Sequence, residues 1–246
     1  MSNNINSIYR IHKLVSNIPA VQQNTQVSEV WAQIFELNES NPNKKSAAVA
    51  ERLGWALREL DLARLELLST GHPESLYENA INHLEHAFSP MLLSNTWNSV
   101  QQYLVAQTLQ TLAIYSQVVP NEEELIKEDD LNELYARISE LEDFLKKSEL
   151  PSRLQSLIQR HINLIKQALA EYPIAGARAL LEARRAAYGE FFEITAFENA
   201  KNGSESWGKL EKIWELANKA IDGAIKVDAA IQIADKVSTL IKFLPK

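Results

Sequence analysis

The chain has 246 residues, of which 46% are hydrophobic and 23% charged, a balance that excludes extensive disorder and admits one large domain or two ordinary ones. It contains no cysteine, which removes disulfides, thiolate nucleophiles and cysteine-ligated metals together. Its net charge of -7 is concentrated in residues 121–149, which hold eleven acids against four bases, so the remainder is balanced, shows no basic stripe for phosphates, and is not expected to bind nucleic acid directly.

Only seven glycines occur, which favours helices joined by short connections over turn-rich folds. No stretch near the N-terminus has the apolar length of a signal-peptide core, and no window approaches the roughly 18 apolar residues of a membrane span. A cytoplasmic location is the resulting expectation. Pro19, Pro42, Pro73, Pro90, Pro120, Pro151 and Pro173 punctuate apolar-periodic segments, as a residue without an N–H and with fixed φ does at helix boundaries.

In chain order, the first helix is predicted from about Asn6 to Asn17 with Ile8, Ile11, Leu14 and Val15 on one face, and the second from about Thr25 to Asn38 with Val27, Val30, Trp31 and Ile34. A third begins after Asn43, carries Leu53, Leu57, Leu60 and Leu68, and stops at Gly71; Pro73 opens a fourth with Ala80, Ile81, Leu84 and Phe88. Ser94 is placed as the cap of a fifth that carries Trp97, Val100, Leu104 and Leu112. From Leu131, apolar residues at 131, 134, 138, 141 and 145 form two heptads, too few for a coiled coil and read as internal packing. Further helices follow Pro151, with Ile158, His161 and Ile165, and Pro173, with Leu180, Leu181, Tyr188 and Phe191.

The predicted fold is therefore all-α, with eight or nine helices in all: a helical-hairpin array over residues 1–200, a linker at 201–206, and a C-terminal amphipathic helix within 207–246. In that last helix Leu210, Ile213, Ala217, Ala220, Ala224, Val227, Ile231 and Ala234 form a near-heptad stripe. Its alanines suit close packing on the array or on another chain better than on an anionic bilayer.

Residues 46–110 resemble a pair of degenerate tetratricopeptide-type hairpins. Leu53, Gly54 and Ala56 in AERLGWAL match the LGxA element, YENAINHLEHAF resembles the second helix of such a repeat, and Trp97, Gln101 and Leu104 match WxxxQxxL, while Val105 and Gln107 depart from the expected glycine and alanine. The likeness implies a helical-hairpin scaffold, either a short solenoid or a more compact array. Residues 148–183 look like segments of bacterial proteins from mobile or defence loci, which implies a bacterial defence or toxin-regulation setting.

Catalytic chemistry finds little support. His83 and His86 share a helix face but match no zinc signature and lack a third ligand, so an exposed polar face is the expectation and no metal is assigned. His161 lies in an apolar row and is read as a buried, satisfied histidine. The acids from Glu122 to Asp130 are read as a solvated helix start. Arg178, Arg184 and Arg185 form a basic cluster that Glu182 is spaced to pair. No phosphate loop, dinucleotide fingerprint, calcium loop or nucleophile elbow occurs, and no cofactor is expected.

The function expected is non-enzymatic: a scaffold or regulator that binds a protein partner, or itself, in a helical groove. Glu51, Trp55, Arg58 and Gln102 are placed on the groove side. The alternative is a membrane-associating effector acting through 207–246.

Overall fold

The structure, a computed structural model, describes residues 5–194 and 205–225, with backbone alone at 188–194. The chain is all-α, with ten α-helices and no strand among the described residues. Contacts divide it into two compact units between Glu122 and Glu123, whereas composition pointed to 201–206 as the linker. Of that stretch, 201–204 lie outside the described residues, and Glu205 and Ser206 already belong to a helix.

The first unit begins with α1 (Ser7–Ser16), which buries Ile8, Ile11 and Val15. Asn6 caps it: its Oδ1 accepts from the Tyr9 N–H at 2.9 Å, while its Nδ2 donates to the carbonyls of Ser116 and Val119, each at 3.0 Å. One buried amide thereby closes the start of α1 and the end of α6 (Ala106–Val118). Helix α2 is shorter than predicted, Val27–Ile34. It ends in a Schellman turn in which the N–H groups of Glu36 and Leu37 donate back to Gln33 and Ala32 at 3.1 and 2.8 Å, with Glu36 at φ +54°.

Helix α3 is a single 28-residue helix, Pro42–Ser69, started by Asn41, whose Oδ1 accepts from Asn43 and Lys44. Pro42 opens this helix at its first position, where a missing N–H costs nothing. After Pro73 the chain makes a 3-10 turn, Glu74–Leu76, before α4 (Glu78–Ala87).

The continuous fifth helix expected from Ser94 to Leu112 does not form. The chain gives a four-residue α5 (Asn98–Gln101), a break, and then α6. Its expected start is taken up by other bonds: the N–H groups of Trp97 and Asn98 donate to Thr25 and Gln23, and that of Val27 donates to Asn95, so 93–98 is committed to antiparallel pairing with 23–28. The core of this unit centres on Trp31, stacked on Phe35 and edge-on to Phe88 and Trp97, with centroids 5.5, 5.6 and 5.8 Å away.

The second unit is built from α7 (Glu128–Lys147), α8 (Ser152–Ala175), α9 (Ala177–Ile194) and α10 (Glu205–Ala224). The heptad residues Leu134, Ile138, Leu141 and Leu145 are buried here, as internal packing requires. Acids in the first turn of α7 and Lys146 and Lys147 in its last complement the helix dipole. Pro173 does not separate two helices but sits in the last turn of α8, which continues through Ala175 with one backbone donor fewer. The reversal is made by Gly176 alone, at φ +65° and ψ -157°.

The described part of the terminal helix, α10, packs on α7, α8 and α9 and buries Trp207, Leu210, Ile213, Trp214, Ala217, Ala220 and Ala224. Val227, Ile231 and Ala234 lie outside the described residues, and Tyr188 and Phe191 outside the described side chains.

Candidate interaction surface

The sequence-predicted groove residues do not share one exposed face. Trp55 is only 3% exposed, with the Arg52 guanidinium 5.4 Å from its ring centre. It is a core residue, because it belongs to the buried stripe of α3 with Leu53, Ala56, Leu60 and Ala63. Glu51 and Arg58 are exposed on α3, and Gln102 is exposed just after α5, where its side chain donates to the Ser99 carbonyl. The assignment of Trp55 to a groove is therefore corrected.

His83 and His86 both lie against Tyr103. His83 Nδ1 lies 3.0 Å from the Thr108 hydroxyl, and His86 stacks on Tyr103 with centroids 5.1 Å apart. Among the described residues no group of three or more His, Cys, Asp and Glu is placed to hold a metal.

In the second unit His161 is 0% exposed, and its Nδ1 accepts the Trp214 indole N–H at 3.1 Å. Burial first, and the nearby Arg160 second, push its pKa down to about 4, so the ring is neutral at physiological pH, with its proton on Nε2. Arg178 pairs with Glu182 at 3.0 Å, as its spacing predicted, and Arg184 pairs with Asp222 at 3.0 Å.

Of the acids from Glu122 to Asp130, Glu128, Asp129 and Asp130 form the first turn of α7 as expected, whereas Glu122 and Glu123 are not part of a solvated helix start. Helix α7 begins only at Glu128, Glu123 is buried, and Glu122 is largely so. Glu122 is drawn in by Arg10, whose Nη2 lies 2.7 Å from its Oε2. The Glu123 carboxylate accepts the N–H of Ala177 at 2.8 Å, at the positive end of α9.

Arg10 also meets Glu59 at 2.6 Å, and Ser7 donates to Glu66 at 3.0 Å. Sequence analysis missed this buried polar seam. The signal was present: Glu59 and Glu66 lie seven apart beside Leu60 and Leu67 in the apolar stripe of α3, where solvated acids do not belong.

The surface that stands out lies on α6. Residues 87–121 contain no Asp, Glu, Lys, Arg or His in 35 consecutive positions. Helix α6 buries Thr108, Leu112, Tyr115 and Ser116 and packs on α1 and α4. Its outward face carries Gln107, Gln110, Ile114, Gln117 and Val118 at helical spacing, with Ile114 62% and Val118 43% exposed. Branched apolar side chains flanked by uncharged amides gain free energy when covered, and no desolvated charge opposes covering them. No helix among the described residues is long and apolar enough to cross a membrane. No protein-family profile, curated protein or solved structure matches the chain.

Proposed function

We propose that this chain is a non-enzymatic interaction module that engages a protein partner through the outward face of α6. The observation that carries the reading is the exposure of Ile114 and Val118 within a stretch of 35 residues free of Asp, Glu, Lys, Arg and His. The docking element differs from the groove anticipated around Trp55. A regular helix that presents apolar residues at i and i+4 offers a ridge to a partner, and its specificity comes from shape and amide hydrogen bonds rather than from charge. The hairpin resemblance of residues 46–110 fits a scaffold role.

The test is affinity capture with the full chain, comparing the parent with the double variant Ile114→Asp and Val118→Asp. Both positions are solvent-exposed, so helicity by circular dichroism should be unchanged while the captured protein is lost. A variant that retains everything the parent captures would remove α6 from consideration. Charge reversal at Glu51 and Arg58 serves as the control and should leave capture intact.

A further inference from the structure

We infer that His83 and His86 form a binding site for a divalent transition-metal ion, copper(II) above the others, with Thr108 orienting the first imidazole. The two histidines are three apart on α4, a spacing that sets Cβ atoms about 5–6 Å from each other and lets one ion reach both side chains. Both rings lie against Tyr103, His86 stacked on it with centroids 5.1 Å apart and His83 tilted at 5.9 Å. One aromatic wall thereby holds both imidazoles on the same side of the helix.

The hydrogen bonds fix which nitrogen of His83 is open. The buried Thr108 hydroxyl lies 3.1 Å from the Tyr103 carbonyl oxygen and donates to it, because a carbonyl only accepts. With its single proton engaged there, the same hydroxyl, 3.0 Å from His83 Nδ1, is the acceptor, and the imidazole carries its proton on Nδ1. The lone pair is left on Nε2, at the opposite edge of a half-buried ring. Donation through one nitrogen to a fixed acceptor, with the other nitrogen free, is the arrangement that orients metal-ligating histidines. His86 is exposed, so rotation of its side chain supplies the second nitrogen.

The surroundings favour a cation. Helix α4 carries Glu78 and Glu85 and no lysine or arginine, and the pair stands toward its C-terminal end, where the helix dipole is negative. Residues 87–121, which supply Tyr103 and Thr108, contain no Lys or Arg. Arg64 of α3 reaches α4 at Glu85, which neutralises it at 2.8 Å. Two neutral imidazoles select against Mg2+ and Ca2+, which prefer oxygen, and copper(II) stands highest among the first-row divalent ions. Water completes the coordination, since no group of three or more His, Cys, Asp and Glu is gathered among the described residues.

Copper(II) chloride titrated calorimetrically into the full chain should saturate at one ion per chain with a Kd of about 1 to 100 μM. Pulsed electron paramagnetic resonance of that complex should detect two imidazoles. His83→Gln and His86→Gln should each remove one imidazole and the saturable step, whereas His72→Gln should change neither. Thr108→Val keeps both histidines but removes the acceptor of Nδ1 and should weaken copper about 10-fold, while Thr108→Ser, which keeps the hydroxyl, should bind as the parent does. An excess of Mg2+ of about 100-fold should leave copper in place. No saturable binding, fewer than two imidazoles in the parent spectrum, or displacement by Mg2+ overturns the inference. So does parent-like affinity in Thr108→Val, which would reduce the site to two adventitious surface imidazoles. Should Thr108→Val lose helicity, the parent spectrum and the loss of affinity in Thr108→Ser decide instead, the latter overturning the role of the hydroxyl.

Discussion

In the first unit the Glu59 carboxylate is withdrawn from water against a guanidinium carried by another helix, Arg10 on α1. In the second the Glu123 carboxylate is withdrawn against a backbone N–H at the start of α9, and the one buried imidazole, held neutral by burial, accepts a tryptophan N–H. The first solution sets a full charge against a full charge. The second uses partial charges that the fold already holds in place. The difference predicts that the first unit is the more fragile to single substitutions, because removing one partner leaves an ion in the core, whereas the second unit loses one hydrogen bond at a time.

The largest expected effect follows from that contrast. Arg10→Ala leaves Glu59, 0% exposed, and Glu122 without their guanidinium, and should cost about 3 to 5 kcal/mol in urea unfolding. Glu123→Gln keeps an acceptor for Ala177 and should cost about 1 kcal/mol. Equal losses for the two variants would erase the distinction between the units.

Gly176 offers the next effect. Its φ of +65° with ψ of -157° lies in a region that side chains rarely enter, and a methyl there would collide with the Glu123 carboxyl. Gly176→Ala therefore combines backbone strain with displacement of the cap on α9 and should cost about 3 kcal/mol. Adding Glu123→Ala should return part of that loss by opening space for the methyl. If it returns nothing, the collision is not the cause.

These residues also mark how far the sequence could be read. The helical period was plain wherever one face is buried and the other wet, as in α1, α7 and α10, because a single apolar stripe specifies both the element and its inward side. Glu59 and Glu66 lay in view within such a stripe, but their buried state depends on Arg10, about fifty residues away in the chain, which no local pattern announces. The expected start of the fifth helix was lost for the same reason, since Ser94 to Asn98 lies in a helical period but pairs with residues 23–28. Trp55 was misplaced because α3 is covered on several sides, so its apolar stripe is wider than one hairpin face. The α6 surface was legible as an absence of charge, and only its packing on α1 and α4 shows which residues face outward.

The imidazole of the second unit supplies a pH test. In the fold His161 has its pKa lowered from 6.5 to about 4 by burial, so between those values the unfolded chain takes up a proton that the folded chain refuses. Its stabilising contribution is complete above pH 6.5, declines as the pH falls, and is lost once the pH passes below about 4. The loss should be on the order of 2 kcal/mol. His161→Asn retains an acceptor for Trp214 but cannot take up the proton. Its unfolding free energy should therefore vary less than the parent's between pH 7 and pH 4, and the difference between the two profiles isolates this group from the buried carboxylates. Parallel profiles would show that His161 titrates normally in the fold.

The smallest effect comes from the helix end at which a non-glycine residue takes positive φ, and its sign should be reversed. Gly176 and Glu36 both follow a helix at positive φ, but Glu36 sits in the ordinary left-handed well at φ +54°, which a glycine occupies with less strain than a side chain. The Schellman bonds are made by backbone groups and do not require the glutamate. Its side chain is exposed, so little packing is lost when it is removed. Glu36→Gly should therefore raise stability by about 0.5 to 1 kcal/mol, the relief of the side-chain clash exceeding the entropy that glycine adds to the unfolded chain. Thermal unfolding of the parent and the variant decides it: a higher midpoint is expected, and a lower one would mean that the Glu36 side chain stabilises the end of α2 through contacts stronger than its exposure implies.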